Sequence, residues 1–144
     1  MIPIDQITGD VLDLSIRIHR ELGPGLFESV YETVLAAKLV EMGYAVERQK
    51  SVAIDFEGHH FDAAFKVDLL VDGRLVIELK SLDKINPSHA KQVLTYLRLL
   101  KQPVGLLINF GGPTLREGFK RLVNDYKPLS VSAPQREQIG ERNV

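Results

Sequence analysis

Asp68, Glu78 and Lys80 lie in a stretch that otherwise reads as a buried β-hairpin, Asp68-Leu-Leu-Val-Asp-Gly-Arg-Leu-Val-Ile-Glu78-Leu-Lys80. Apolar runs at 69–71 and 75–79 flank an Asp72-Gly73 turn signal. Two carboxylates in a low-dielectric strand pair repel each other unless a cation lies between them, and a lysine two residues on shares the glutamate's side. An Asp followed by Glu-x-Lys on the next strand therefore suits a divalent metal with a water beside it. The competing reading is an amphipathic strand with solvated charges. Register separates the two. Asp68 and Glu78 share a side only if paired residue numbers sum to an even value. A two-residue Asp72-Gly73 loop would pair Val71 with Arg74 and send the acids to opposite sides. The metal reading thus requires a three-residue loop or a bulge, with Gly73 at positive φ.

The chain that must position these groups has 144 residues, enough for one domain with a substantial core. It has no cysteine, which excludes a disulfide scaffold, a Cys-based zinc site and a cysteine nucleophile. No stretch has the length of a membrane span, and the first residues lack the pattern of a signal peptide, so a cytoplasmic location is expected. The net charge of -1 conceals an asymmetry. Residues 1–80 hold 8 Lys and Arg against 14 Asp and Glu, a balance of -6, whereas 81–127 hold 8 against 3, a balance of +5. A positive half facing a phosphate backbone and an acidic half holding a cation would account for it, as would solvated helix faces.

Helical spacing predicts a first helix over 5–22, with Val11, Leu14, Ile18 and Leu22 on one stripe, stopped by Gly23-Pro24-Gly25. A second helix over 26–42 is expected to bury Phe27, Val30, Val34 and Ala37, with Gly43 near its C-cap. Glu28, Tyr31 and Leu35 fall on a separate stripe. Glu28 is explained either by the dipole of a first turn or by a helix that points it at the hairpin's metal. From Tyr44 the period changes to two, giving with 75–79 a three-stranded antiparallel meander turned at Glu57-Gly58. His59 and His60, beside that turn, are expected in solvent.

Asn86-Pro87 opens a third helix running to about Lys101, with Ala90, Val93, Leu94, Leu97 and Leu100 inward and His89, Gln92 and Tyr96 on a second stripe. Residues 104–110 form a continuous apolar run, the pattern of a strand buried on both faces. A last helix is predicted over 114–125, capped by Thr114, with Leu115, Phe119, Leu122 and Val123 inward. The domain is taken as 1–127, and 128–144, poor in large apolar groups, as a mobile tail or a segment ordered by a partner.

This order of elements, α/β in composition, resembles the PD-(D/E)xK nuclease superfamily, whose restriction-endonuclease-like core is αβββαβ: a mixed sheet with an antiparallel three-strand meander and flanking helices. Gly25-Leu-Phe-Glu28-Ser-Val-Tyr31, with Leu22-Gly-Pro-Gly-Leu, Glu78-Leu-Lys80 and Gly105-Leu-Leu-Ile-Asn-Phe-Gly111, is similar to the GxxExxY protein family within it, over about residues 8–125. The resemblance implies that Asp68 and Glu78 are metal-binding acids, that Lys80 orients or activates the attacking water, and that Glu28 is the first-helix acid. Gln92 and Tyr96 match a Gln-x-x-x-Tyr motif of RecB-like nucleases that supports the site and approaches the DNA backbone, and His19 parallels a histidine ligand of some of them at a different spacing. Val67 stands where the superfamily motif often has proline.

The implied activity is Mg²⁺- or Mn²⁺-dependent hydrolysis of phosphodiester bonds in nucleic acid, DNA foremost. Asp68, Glu78, the Leu79 carbonyl and Glu28 would hold the metal, while Lys84, Lys91 and Arg98 would contact flanking phosphates. A homodimer is compatible with this fold. The competing functions are a catalytically inactive nucleic-acid-binding module and a protein-interaction module on the same fold.

Overall fold

In the computed structural model, residues 1–124 are described. Helix α1 (Ile4–Leu22) buries Ile7, Val11, Leu14 and Ile18 along one face and ends where Gly23 takes φ +78. Helix α2 (Glu28–Glu41) ends just before Gly43. Strands β1 (Val46–Phe56) and β2 (His59–Val71) make a long hairpin turned by Glu57 and Gly58, and β3 (Leu75–Lys80) completes the expected meander. Helix α3 (Pro87–Leu100) starts as the sequence indicates: the Asn86 side chain accepts from the Ser88 N–H, His89 Nδ1 accepts from the Asn86 N–H, and Pro87 occupies the first turn. Strand β4 (Val104–Asn109) is buried at every position. A 3₁₀ turn (Arg116–Gly118) then leads into β5 (Phe119–Val123).

The sheet runs β1-β2-β3-β4-β5. All neighbours are antiparallel except β3 and β4, whose parallel pairing needs the α3 crossover. Side chains alternate across the sheet and define two cores. On one face Leu69, Val71, Leu75, Ile77, Leu79, Leu106 and Ile108 meet α1 and α2. On the other Leu70, Val76 and Leu107 meet Ala90, Val93, Leu94 and Leu97 of α3, as the stripe of that helix predicts. No described helix is long and apolar enough to cross a membrane.

Two expectations are corrected. The helix predicted over 114–125 is instead the 3₁₀ turn and β5 over the described part of that stretch. Pairing with β4 wins because it satisfies that strand's outer edge, and Gly118 would weaken a helix interior by about 1 kcal/mol. Gly118 also packs where a Cβ would stand 2.5 Å from the Asn109 carbonyl oxygen. In α2 the buried face is Tyr31, Leu35, Ala36 and Leu39, whereas Phe27, Val30 and Ala37 are exposed. That helix is apolar nearly all round, so its own sequence selects no face. The tail expected over 128–144 lies outside the described residues.

Candidate active site

The β2–β3 register is the one the acid pair requires. Leu69 pairs with Ile77, Leu70 with Val76 and Val71 with Leu75, always an even sum. The loop therefore has three residues, with Asp72 and Gly73 both at positive φ and the Arg74 N–H donating to the Val71 carbonyl. Asp72 tolerates φ +52 because it is tied to Ala45 twice: its N–H donates to the Ala45 carbonyl, and its Oδ1 accepts from the Ala45 N–H.

Beyond the Leu69–Ile77 pair, the Asp68 carboxylate itself reaches β3. Its Oδ2 accepts from the Leu79 N–H at 2.8 Å. Glu78, 7% exposed, lies close enough for the Asp68 charge to act on it. Burial first, and then the charge of Asp68, pushes the Glu78 carboxyl up to about 8, against the opposing pull of Lys80. Lys80 Nζ lies 3.7 Å from Glu78 Oε2, while Glu78 Oε1 is buried without a hydrogen-bond partner. An orphaned carboxylate oxygen facing a second acid is a donor set that suits a hard divalent cation.

Tyr96 projects from α3 towards this pair. It stacks on Phe65 with ring centroids 4.2 Å apart, and its hydroxyl is pushed up by burial and then by the charges of Glu78 and Asp68, with a Gln92 hydrogen bond acting the other way. Gln92, Lys91 and Arg98 lie on the exposed part of α3, and Lys84 in the exposed loop before it. Leu79 is buried between Glu78 and Lys80.

Glu28 stands apart. It occupies the first turn of α2, exposed, and forms no hydrogen bond or ion pair among the described residues. Those residues include no cluster of three or more Asp, Glu or His side chains able to hold a metal, so the structure gathers two acids and a lysine without the helix acid. His19 Nε2 is 3.0 Å from the Gly112 carbonyl oxygen, in a structural contact. His59 and His60 are exposed as expected, with His60 between the Asp55 and Asp62 carboxylates.

The tyrosine of Gly25-x-x-Glu28-x-x-Tyr31 has a clear structural task. Fully buried and stacked on Phe110, Tyr31 donates to the Gly23 carbonyl at 2.6 Å and accepts from the Leu26 N–H at 3.1 Å. The Leu26 carbonyl in turn accepts from Ser81 Oγ at 2.6 Å. The loop entering α2 is thereby braced against the residue that follows Lys80.

Two further contributors were not singled out by the sequence. Asn109, buried on β4 opposite Lys80, clamps the next loop by accepting from the Leu82 N–H and donating to the Leu82 carbonyl. A lone amide in an otherwise apolar run was the available signal. The other is Gln49, which lies in the polar run Glu47-Arg48-Gln49-Lys50, indistinguishable by pattern from a solvated edge. Its Nε2 donates to Asp68 Oδ1 at 3.0 Å and to Glu32 Oε1 at 2.6 Å. Glu32 is buried on α2 and also paired with Arg48 at 3.0 Å.

A mixed five-stranded sheet with one parallel pair, its crossover helix on one face and two helices on the other is the restriction-endonuclease-like fold. Residues 5–122 match the PD-(D/E)XK nuclease superfamily, and the chain belongs to it. Nucleases of this superfamily generally use divalent metal ions and act on nucleic acid. No curated protein and no solved structure matches the chain at a significant level.

Proposed function

We propose that this protein is a Mg²⁺- or Mn²⁺-dependent nuclease that hydrolyses phosphodiester bonds, with DNA as its main substrate, and that it belongs to the GxxExxY group of its superfamily. The Gly25–Tyr31 brace supports the group assignment. The observation that carries the activity is the Asp68–Glu78 pair. Glu78 is buried near the end of β3 with Oε1 unpartnered and Lys80 Nζ 3.7 Å from Oε2, and Asp68 is half-buried beside it on β2. Such a pair is costly to keep ionised unless a cation joins it.

Asp68 and Glu78 would hold the ion, with the Leu79 carbonyl as a main-chain donor. When bound, a divalent ion polarises the phosphoryl oxygen and lowers the pKa of a coordinated water. Lys80 orients that water and offsets charge developing on the phosphoryl oxygens. Tyr96, held by Phe65 and Gln92, approaches the phosphate backbone from α3, where Lys84, Lys91 and Arg98 offer cations to flanking phosphates. Glu28 joins the ligands only if the first turn of α2 swings toward β3.

The test is incubation of the purified chain with supercoiled, linear and single-stranded DNA and with RNA, in Mg²⁺, Mn²⁺ or EDTA, beside the Asp68→Ala and Glu78→Ala variants. Metal-dependent cutting by the wild type alone supports the assignment. Metal-dependent cutting that survives in either variant refutes it. If the wild type binds nucleic acid without cutting it and takes up no metal, the inactive binding module is the better description.

A further inference from the structure

We propose that Gln49 is a positioning residue for the metal site, holding the Asp68 carboxylate in its ligating orientation, and that Glu32 locks the Gln49 amide for this task. The inference rests on the metal-dependent reading above, and extends it to two residues outside the acid pair and the lysine.

Three independent features converge on Gln49. The first is the backbone: Gln49 has φ +49 in the middle of β1, a left-handed conformation that a non-glycine residue adopts in a strand only when its surroundings impose it. The regular β1–β2 pairs Arg48–Leu69 and Lys50–Val67 flank the distortion, so Gln49 stands opposite Asp68. The second is the amide. Both of its N–H groups are committed, one to Asp68 and one to Glu32, and rotating it by half a turn would set its oxygen against two carboxylates. The third is the charge. Glu32 is buried, and Arg48 neutralises it through Nε and Nη2, each 3.0 Å from Oε2, leaving Oε1 to fix the amide.

The result for Asp68 is specific. Oδ2 is held by the Leu79 N–H and Oδ1 by Gln49, so the carboxylate plane is fixed from both sides by neutral donors, and each oxygen keeps a lone pair for a cation. A lysine or arginine in the place of Gln49 would compete with the ion; an amide does not. Outer partners of this kind typically change metal affinity by roughly 10- to 100-fold when removed.

The experiment titrates Mn²⁺ by calorimetry into the intact wild type and the Gln49→Gly, Gln49→Ala, Glu32→Gln and Asp68→Ala variants, and records thermal unfolding of each. Gln49→Gly removes the amide while accepting φ +49 without strain, so it separates positioning from folding. The expected result is a Kd weakened about 10- to 100-fold in both Gln49 variants and less in Glu32→Gln, with the unfolding midpoint of Gln49→Gly at or above that of Gln49→Ala, since both leave Glu32 Oε1 without the amide and only alanine is strained at φ +49. Cleavage by Gln49→Gly should recover as the metal concentration rises, whereas cleavage by Asp68→Ala should not. If Gln49→Gly binds Mn²⁺ as tightly as the wild type while Asp68→Ala does not bind it, the role of Gln49 is overturned and the acid pair stands. If the wild type takes up no Mn²⁺, or Asp68→Ala takes it up unchanged, the metal-dependent reading and the inference fall together.

Discussion

The two faces of β3 divide the labour of this protein. Leu75, Ile77 and Leu79 point into the core beneath α1 and α2, in a cluster of buried hydrophobic side chains. Val76 begins the same way on the α3 face, but Glu78 and Lys80 follow it, and there the sheet gives up apolar packing for an acid pair, an unpartnered oxygen and a lysine. One face supplies stability; the other gathers charges whose burial costs stability. Six residues serve both because the strand period sends alternate side chains to opposite environments.

Substitutions on the two faces should separate the two properties. The largest effect expected is on activity. Asp68→Ala or Glu78→Ala removes a stabilising contribution of several kcal/mol to the transition state, so cleavage should drop by roughly a thousandfold or more while the circular dichroism spectrum stays native. Next comes Ile77→Ala on the opposite face, which should cost about 2–5 kcal/mol in denaturant unfolding without changing metal affinity per folded molecule. Equal losses of both properties in both variants would break the division.

The pH dependence follows from Glu78. Its carboxyl is raised from 4.5 to about 8 in the folded chain, so between those values the unfolded chain binds fewer protons and metal-free stability falls as pH rises. The fall should amount to a few kcal/mol at most, and Glu78→Gln should flatten it. Adding Mg²⁺ should oppose it in the wild type alone, because a cation favours the charged carboxylate. A metal-free stability that instead rises through this window would contradict the burial of Glu78.

Smaller effects test the edges of the scheme. Gly105 faces α3, where an added Cβ would lie 3.0 Å from Val93 Cγ1 and 3.2 Å from Leu97 Cδ1, so Gly105→Ala should cost roughly 1 kcal/mol as those side chains give way. His60→Ala, in the exposed outer part of the β1–β2 hairpin, should change stability by no more than about 0.5 kcal/mol.

The legibility of the chain follows the same division. The Asn86-Pro87 helix start and the largely apolar run of β4 were readable, because each is set by local chemistry: a cap, and a run buried on both faces. The hairpin register was not, since Asp72-Gly73 suits a two-residue loop as well as the three-residue loop that forms. The face that α2 buries was not, since Val30, Val34 and Ala37 are as apolar as Leu35 and Leu39. Tyr31 settled that choice through its hydroxyl, whose partners Gly23 and Leu26 come from the preceding loop. Residues 114–125 satisfied a helical period as well as a strand, and the open edge of β4 decided for the strand.

By itself the sequence determined which residues could do chemistry and the order of the elements that carry them, because these depend on residue type and on spacing along the chain; which loop length sets Asp68 beside Glu78 was decided by the folded hairpin. Tertiary structure alone decided that Glu28 stays exposed at the first turn of α2, and that Gln49, held by Glu32, reaches Asp68. The reason is physical. A polar side chain in a strand or helix looks solvated until the elements pack, and only then is it clear which charge lies within hydrogen-bonding distance of which donor.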